Sequence, residues 1–428
     1  MKVCIETYGC SANKSDSELM AGLLSKSGFG MTKNLEEADI IIVNTCVVKS
    51  PTEQKILHRI GYLQKKFPRK KIIIAGCMPE LLGRKLKQLS PKTSLISTHH
   101  VKEIVKVAEK SAKGLRSEIL GKSNNVKICS GKLKSNPLIS IVPIASGCKS
   151  ACSYCCVKIV KGDLFSYPEG MILNEMRSGL RSGSREIWLT SQDCGCYGFD
   201  KENNIAELLR KSVKIPGDFF IRVGMMNPRH IDKIIDDLLK AYKSPKVYKF
   251  AHIPVQSGSD HVLRMMRRGY DIKTFKKIIR RFRNEFHEII ISTDIIVGFP
   301  GETDADFKKT ISLLKWLKPD IVNVSKFGSR PFTAAEKMKK VDEKTVKARS
   351  KITSDLSKRL SHEANRKWLG WKGEILVTEN GRFAGQYIGR NFGYKPVLVE
   401  SKKNLLGKHV NVKITSAEKT YLRGKICF

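Results

Sequence analysis

The sequence predicts an α/β protein in three parts: an N-terminal open parallel sheet covered by helices, a central partial (β/α)6 barrel, and a small C-terminal antiparallel β-barrel. Three observations predict it. Short apolar runs alternate with amphipathic segments over the first hundred residues, the same rhythm returns six times between Ile139 and Leu317, and beyond Leu369 it gives way to short alternating strands. With 428 residues the chain has room for two to four domains at about 150 residues each. A composition that is 41% hydrophobic and 28% charged excludes a disordered chain and a bundle of membrane helices.

The elements follow in chain order. Residues 1–110 read as KVCIETYG, a helix over Ser15 to Ser27, ADIIIVNTC, a second helix and KKIIIAGC, the alternation of a parallel sheet with crossover helices. The Lys/Ser/Gly-rich residues 111–134 have weak periodicity and read as a linker or a lone strand. Residues 135–365 carry six candidate strands: ISIVPIASG, EIWLTSQD, FFIRVGMM, KFAHIPVQ, EIIISTDIIVGF and DIVNVSKFG. By analogy with the eight-unit barrel, chemistry is expected at the carboxyl ends of these strands. A basic helix from Asp342 to Leu369 leads into residues 366–428, where GEILVTEN, KPVLVES, KHVNVKITSAE and YLRGKICF alternate as strands of a small barrel.

Charge points to a polyanion. The 79 Lys and Arg exceed the 41 Asp and Glu enough to give a formal charge of +38. Nucleic acid is the first partner such a surface suggests, although a generally basic proteome produces part of the same bias. In the terminal barrel 13 Lys and Arg stand against 4 Glu, with Phe383, Tyr387, Phe392 and Tyr394 interleaved. Stacking and phosphate contacts to RNA suit that mixture, and a barrel core would also use some of the aromatics. The opening MKVCIETYGC reads as a strand, not a leader, and the longest apolar runs fall short of the ~18 residues of a membrane helix. A soluble, cytoplasmic protein with no membrane partner is expected.

Twelve cysteines are too sparse for a disulfide scaffold in a chain of this length, so reduced thiols acting as metal ligands are favoured. Cys148, Cys152 and Cys155 form a CxxxCxxC run directly after an apolar strand, and one loop can present all three to one centre. A zinc ribbon needs a second CxxC pair, and the sequence has only one. Three thiolates on a 4Fe-4S cluster leave one iron free for a substrate or cofactor, whereas Cys156 as fourth ligand would close a structural loop. Cys10, Cys46 and Cys77 each follow the end of a predicted parallel strand, in TYGC, VNTC and IAGC. Strand ends of an open sheet share one edge, so these three can converge on a second site; taken singly, each packs equally well as a small core residue. Cys4, Cys129, Cys156, Cys194, Cys196 and Cys427 show no such arrangement and read as structural.

The motifs TYGCSANKSDSE, VNTCVV, AGCMPE, the CxxxCxxC loop, HIPVQSGSD, DIIVGFPGET and SRPFTAAEKM occur in that order over nearly the whole chain. Together they resemble the radical S-adenosylmethionine methylthiotransferase family, with a TRAM-like carboxyl domain. The resemblance implies two 4Fe-4S clusters, one on Cys148, Cys152 and Cys155 that binds S-adenosylmethionine and cleaves it to a 5′-deoxyadenosyl radical, the other on Cys10, Cys46 and Cys77 that delivers a methylthio group. RVGMMNP and LTSQD are similar to the archaeal and eukaryotic branch, which modifies threonylcarbamoyladenosine beside the tRNA anticodon. Implied partners are the anticodon stem-loop, an electron donor and a sulfur source, with the chain a monomer. The rivals are methylthiolation of isopentenyladenosine and a non-catalytic iron-sulfur protein that binds RNA. Two departures from the family pattern are Lys161, where Arg is usual, and Phe332, which interrupts an Arg-Pro-Gly-Thr sequence.

Further residues carry a functional and a plain reading each. Gly298 and Gly301 in VGFPGET let backbone approach a bound adenosine, or form a strand-to-helix turn capped by Thr303. Gln192, Asp193 and Gln256 follow strand ends and can reach cofactor or substrate, although polar residues are common there. Arg222 and Arg330 can grip a substrate carboxylate as bidentate partners or make internal salt bridges. The Lys/Arg runs Arg264 to Arg268 and Lys276 to Arg283 read as solvated helix faces, with the tRNA backbone as a secondary role.

Overall fold

Ile40–Thr45 and Lys71–Gly76 are apolar, β-branched runs buried almost throughout, as parallel strands covered on both faces must be. In the computed structural model, which describes all residues except Lys49 and Phe428, they lie at the centre of a six-stranded parallel sheet. Its order is Gly30–Met31, Lys2–Thr7, Ile40–Thr45, Lys71–Gly76, Ser94–Ser97 and Glu118–Ile119. Alternate residues divide between two cores. Ile40, Ile42 and Ile73 pack with Leu19, Met20, Leu24, Ile104 and Val107 of helices Ser11–Lys26 and Ile104–Ala112. Ile41, Val43, Ile72 and Ile74 pack on the other face with Ile56, Ile60, Leu63, Met78 and Leu86 of helices Ser50–Lys66 and Met78–Leu89. Residues 111–134 are no free connection: Glu118–Ile119 extends the sheet beside Leu95 and Ile96, Lys127 is buried, and Leu133 N donates to Glu18 O.

The central strands form two three-stranded parallel sheets, Ile139–Pro143, Glu186–Thr190 and Phe220–Val223 in one, Phe250–His252, Ile290–Val297 and Ile321–Lys326 in the other. A parallel bridge between Ile221 and Val247 and a bond from Met226 N to His252 O (2.9 Å) join them into a six-strand partial barrel. Ile187, Leu189, Ile221, Val223, Ile291 and Ile295 face the surrounding helices in the largest core. The alternate positions, Trp188, Arg222, His252 and Asp294, therefore face the barrel interior. Helix Ser11–Lys26 packs beside the edge strand Ile139–Pro143, so the first domain flanks the open side.

Strands Lys372–Asn380, Gln386–Arg390, Pro396–Glu400, Leu422–Ile426 and His409–Ala417 close the terminal barrel. It has five strands where the alternation suggested four, because QYIGR is short and contains a glycine, and one pair, Pro396–Glu400 with Leu422–Ile426, is parallel. This barrel seats against the amino ends of the central strands: Thr378 Oγ1 donates to Glu186 Oε1 (2.9 Å), and Tyr394 packs on Tyr248, Phe250 and Trp188. The carboxyl ends stay clear of it. Phe392 packs on Trp368 and Trp371, so of the four interleaved aromatics it and Tyr394 serve packing, while Phe383 is 64% exposed. Among the described residues no helix is long and apolar enough to cross a membrane.

Candidate functional site

Cys46 directly follows strand Ile40–Thr45, Cys77 directly follows Lys71–Gly76, and Cys10 lies three residues beyond Lys2–Thr7. These are three neighbouring strands, so the carboxyl edge of the sheet gathers the three thiols. Cys10 Sγ and Cys77 Sγ lie 3.9 and 3.8 Å from one atom, Asn13 Oδ1. A Cβ on Gly9 would meet Cys46 Cβ at 2.6 Å, so glycine is required for the Cys10 turn to approach Cys46. Cys10 and Cys77 also occupy the N-caps of helices Ser11–Lys26 and Met78–Leu89, whose positive ends favour an anionic group. Burial pushes the Cys77 thiol up to about 12 and raises Cys46 as well, so metal has to displace their protons.

A buried charge imbalance lies beneath this trio. Asp16 Oδ2 is 3.2 Å from Lys127 Nζ and 3.8 Å from Lys161 Nζ, and Thr98 Oγ1 accepts from both lysines. Two buried ammonium groups thus face one buried carboxylate. Burial pushes Lys161 down, but the negative Cys77, Asp16, Cys10 and Cys46 groups outweigh it and raise its pKa. A three-thiolate iron-sulfur cluster is an anion in need of such a neighbour, so this donor set fits one.

The loop after Ile139–Pro143 presents Cys148, Cys152 and Cys155 at the carboxyl end of the central barrel. Ser150 N donates to Cys148 Sγ (3.4 Å), and the buried Arg268 reaches Cys152 Sγ through Nη1 (3.3 Å). Arg268 gives its other bonds to neutral partners, the Tyr154 and Tyr270 hydroxyls and Pro254 O. It is no part of a solvated helix face, as the run Arg264 to Arg268 suggested; at 4% exposure it places a guanidinium against the Cys152 sulfur. Among the described residues, one His/Cys/Asp/Glu trio has its ligand atoms within 4.8 Å of each other: Asp193, Cys196 and His230. Neither cysteine trio is that compact.

The remaining expected residues separate into two groups. Gln192 Oε1, Gln256 Oε1 and Arg222 Nε are buried without a protein partner, and Gln256 holds φ +73, a left-handed strain typical of functional positions. Gln192 and Gln256 lie beyond the carboxyl ends of their strands, where orphaned acceptors are what a polar ligand would satisfy, whereas Arg222 lies within strand Phe220–Val223. The Arg222 guanidinium lies 5.9, 5.7 and 5.9 Å from the ring centres of Trp188, Phe250 and Tyr394, an aromatic cage inside the barrel. Asp193, by contrast, offers no free oxygen: Oδ1 accepts from Gly195 N and Asn227 N, and Oδ2 pairs with His230 Nδ1 at 2.8 Å. Its carboxylate ties the 193–196 segment to Asn227 and His230. Arg330 is 4% exposed, ion-paired with Glu53 and bonded to Ser50 Oγ, the internal salt bridge that was its plain reading.

Gly298 and Gly301 answer to their neighbours. Both have positive φ, and a Cβ would meet Val346 Cγ2 at 2.4 Å or Met265 Sδ at 3.1 Å. Thr303 and Asp306 form a capping box just beyond, so the turn reading accounts for both glycines. Sequence reasoning missed the Asp16–Lys127–Lys161 network, Arg268, and a polar cluster in which Asp294 Oδ1 accepts from His252 Nε2 (3.0 Å) and Asn323 Nδ2 (2.7 Å). The strand alternation carried the signal for the last, since His252 and Asp294 share a face with Arg222.

Residues 2–98 match the family model described as Uncharacterized protein family UPF0004, residues 142–314 the Radical SAM superfamily, and residues 369–427 the TRAM domain. A protein of Methanothermobacter thermautotrophicus named "Probable threonylcarbamoyladenosine tRNA methylthiotransferase" is 42% identical over 422 residues, covering 99% of each chain. The chain belongs to the threonylcarbamoyladenosine tRNA methylthiotransferase family. The human member is 38% identical over 434 residues, which span 99% of this chain and 74% of the human one. Among solved structures, the radical S-adenosylmethionine methyltransferase TsrM of Kitasatospora setae shares the fold, with a TM-score of 0.58 at 13% identity over 78% of this chain and 75% of that one. Family membership accounts for the order of the three parts, sheet, partial barrel and terminal barrel.

Proposed function

We propose that this protein converts N6-threonylcarbamoyladenosine beside the tRNA anticodon to its 2-methylthio derivative, using S-adenosylmethionine and two 4Fe-4S clusters. The observation that carries the proposal is the contact between the two cysteine-bearing loops. Cys156 follows Cys155 in the chain, and its Sγ lies 3.8 Å from Val47 O, next to Cys46. One trio stands at the edge of the open sheet and the other at the carboxyl end of the barrel, so both border one interior. When bound, the clusters supply reductive cleavage of S-adenosylmethionine and a site for the sulfur to be transferred.

The chain's own residues do the rest. Arg268 and Ser150 N hold the Cys148–Cys155 loop through its sulfurs, and Lys161 offsets negative charge at the other trio. Gln192 and Gln256 offer acceptors to a nucleoside or to the amino acid part of S-adenosylmethionine, with their orphaned oxygens satisfied only on binding. Arg222, inside the barrel with its Nε buried and without a protein partner, is the candidate cation for the threonyl carboxylate. The terminal barrel and the wider basic surface hold the tRNA backbone. This reading requires an external electron donor and a sulfur source, a reducing cytoplasmic setting, and a chain that acts as a monomer. The test is mass spectrometry of tRNA nucleosides from cells with and without the gene. Loss of 2-methylthio-threonylcarbamoyladenosine, with its unthiolated precursor accumulating, supports the proposal; an unchanged nucleoside profile refutes it.

A further inference from the structure

Residues 330–333 close a turn in which Thr333 N donates to Arg330 O (3.3 Å), with Pro331 second and Phe332 third at φ +64. Proline second and positive φ third are the marks of a type II turn, whose third position favours glycine because a Cβ is crowded there. The phenylalanine gains no packing in exchange. At 76% exposure Phe332 is the most exposed large hydrophobic side chain among the described residues. A strained backbone that carries a solvent-facing ring has no account in the free protein's own stability.

Both sides of the turn are anchored to the cysteine loops. Arg330 is tied to Ser50 and Glu53, shortly after Cys46, and Ala335 N donates to Ser153 O (2.8 Å), between Cys152 and Cys155. Phe332 N is fixed by Glu336 Oε2 (2.7 Å), which holds the ring's base in place. The exposed Lys337, Lys339 and Lys340 follow within eight residues. An exposed aromatic ring on an anchored backbone, beside cations and between segments tied to the two cysteine loops, suits a nucleobase with its phosphates better than an apolar protein surface.

We propose that Phe332 is a stacking platform for an unpaired anticodon-loop base next to the nucleotide being modified. The inference rests on the RNA substrate proposed above. The experiment measures affinity of reconstituted holoenzyme for an anticodon stem-loop oligonucleotide carrying threonylcarbamoyladenosine, with 2-aminopurine as the neighbouring base. Phe332→Ala and Phe332→Gly should bind about 5- to 100-fold more weakly and lose the 2-aminopurine quenching, while Phe332→Trp retains both. Phe332→Gly should melt no lower than the parent, since glycine suits the left-handed position, which separates a binding defect from misfolding. Equal affinity and equal quenching in parent and Phe332→Ala would overturn the assignment while leaving the RNA reading intact. Absence of binding by the parent itself would overturn both.

Discussion

At the residue scale the proposed function gives the two cysteine trios separate roles. Cys10→Ala should retain reductive cleavage of S-adenosylmethionine, scored as 5′-deoxyadenosine, and lose methylthio product; loss of both activities would contradict separate roles. In the proposed reading Arg222 sets the preference for a charged substrate. Arg222→Leu leaves an apolar cage of Trp188, Phe250 and Tyr394, so the ratio of kcat/KM for threonylcarbamoyl over isopentenyl substrate should fall roughly a hundredfold. Asp16 is the single carboxylate between Lys127 and Lys161, and Asp16→Asn leaves two buried ammonium groups uncompensated. Breaking such a buried set costs about 3 kcal/mol or more, and chemical denaturation of the apoprotein should show it. The cysteine positions were legible because strand ends are read locally. Arg330 was not, because its partner Glu53 lies 277 residues away, and a sequence pattern cannot say which of two charges meet.

At the element scale the terminal barrel has two jobs, and they need separate tests. Removing it to probe RNA binding would also strip the cover from Tyr248, Phe250 and Glu186. Surface substitutions avoid that confusion. Replacing the exposed Arg382, Lys402 and Lys403 together by Ala should weaken tRNA binding and reduce the slope of log K against log salt by roughly 0.7 to 0.9 for each phosphate no longer neutralised. An unchanged slope would move the RNA surface to the other domains. Alternation showed that a barrel forms here, yet it could not show which aromatics face outward: Phe392 and Tyr394 are claimed by tertiary packing against Trp368, Trp371 and the central strands. Residues 111–134 were opaque for a related reason. Their Lys127 finds Asp16 across 111 positions, so weak periodicity concealed a packed segment.

At the scale of the whole molecule, three parts meet around one interior: the first sheet beside the open edge of the partial barrel, the terminal barrel across its amino end, and the carboxyl ends left for chemistry. Two trios of cysteine should hold about eight iron atoms per anaerobically reconstituted chain, as two four-iron clusters. A count near four, with Cys10, Cys46 and Cys77 freely alkylated, would remove the second site. The most direct measurement offers reconstituted enzyme, S-adenosylmethionine, reductant and sulfide two tRNAs, one carrying threonylcarbamoyladenosine and one isopentenyladenosine, and follows the initial rate of 2-methylthio product by mass spectrometry. The account predicts rapid formation of 2-methylthio-threonylcarbamoyladenosine and roughly a hundredfold slower reaction, or slower still, on the other tRNA. Faster reaction on the isopentenyl substrate, or no methylthio product on either, would contradict it.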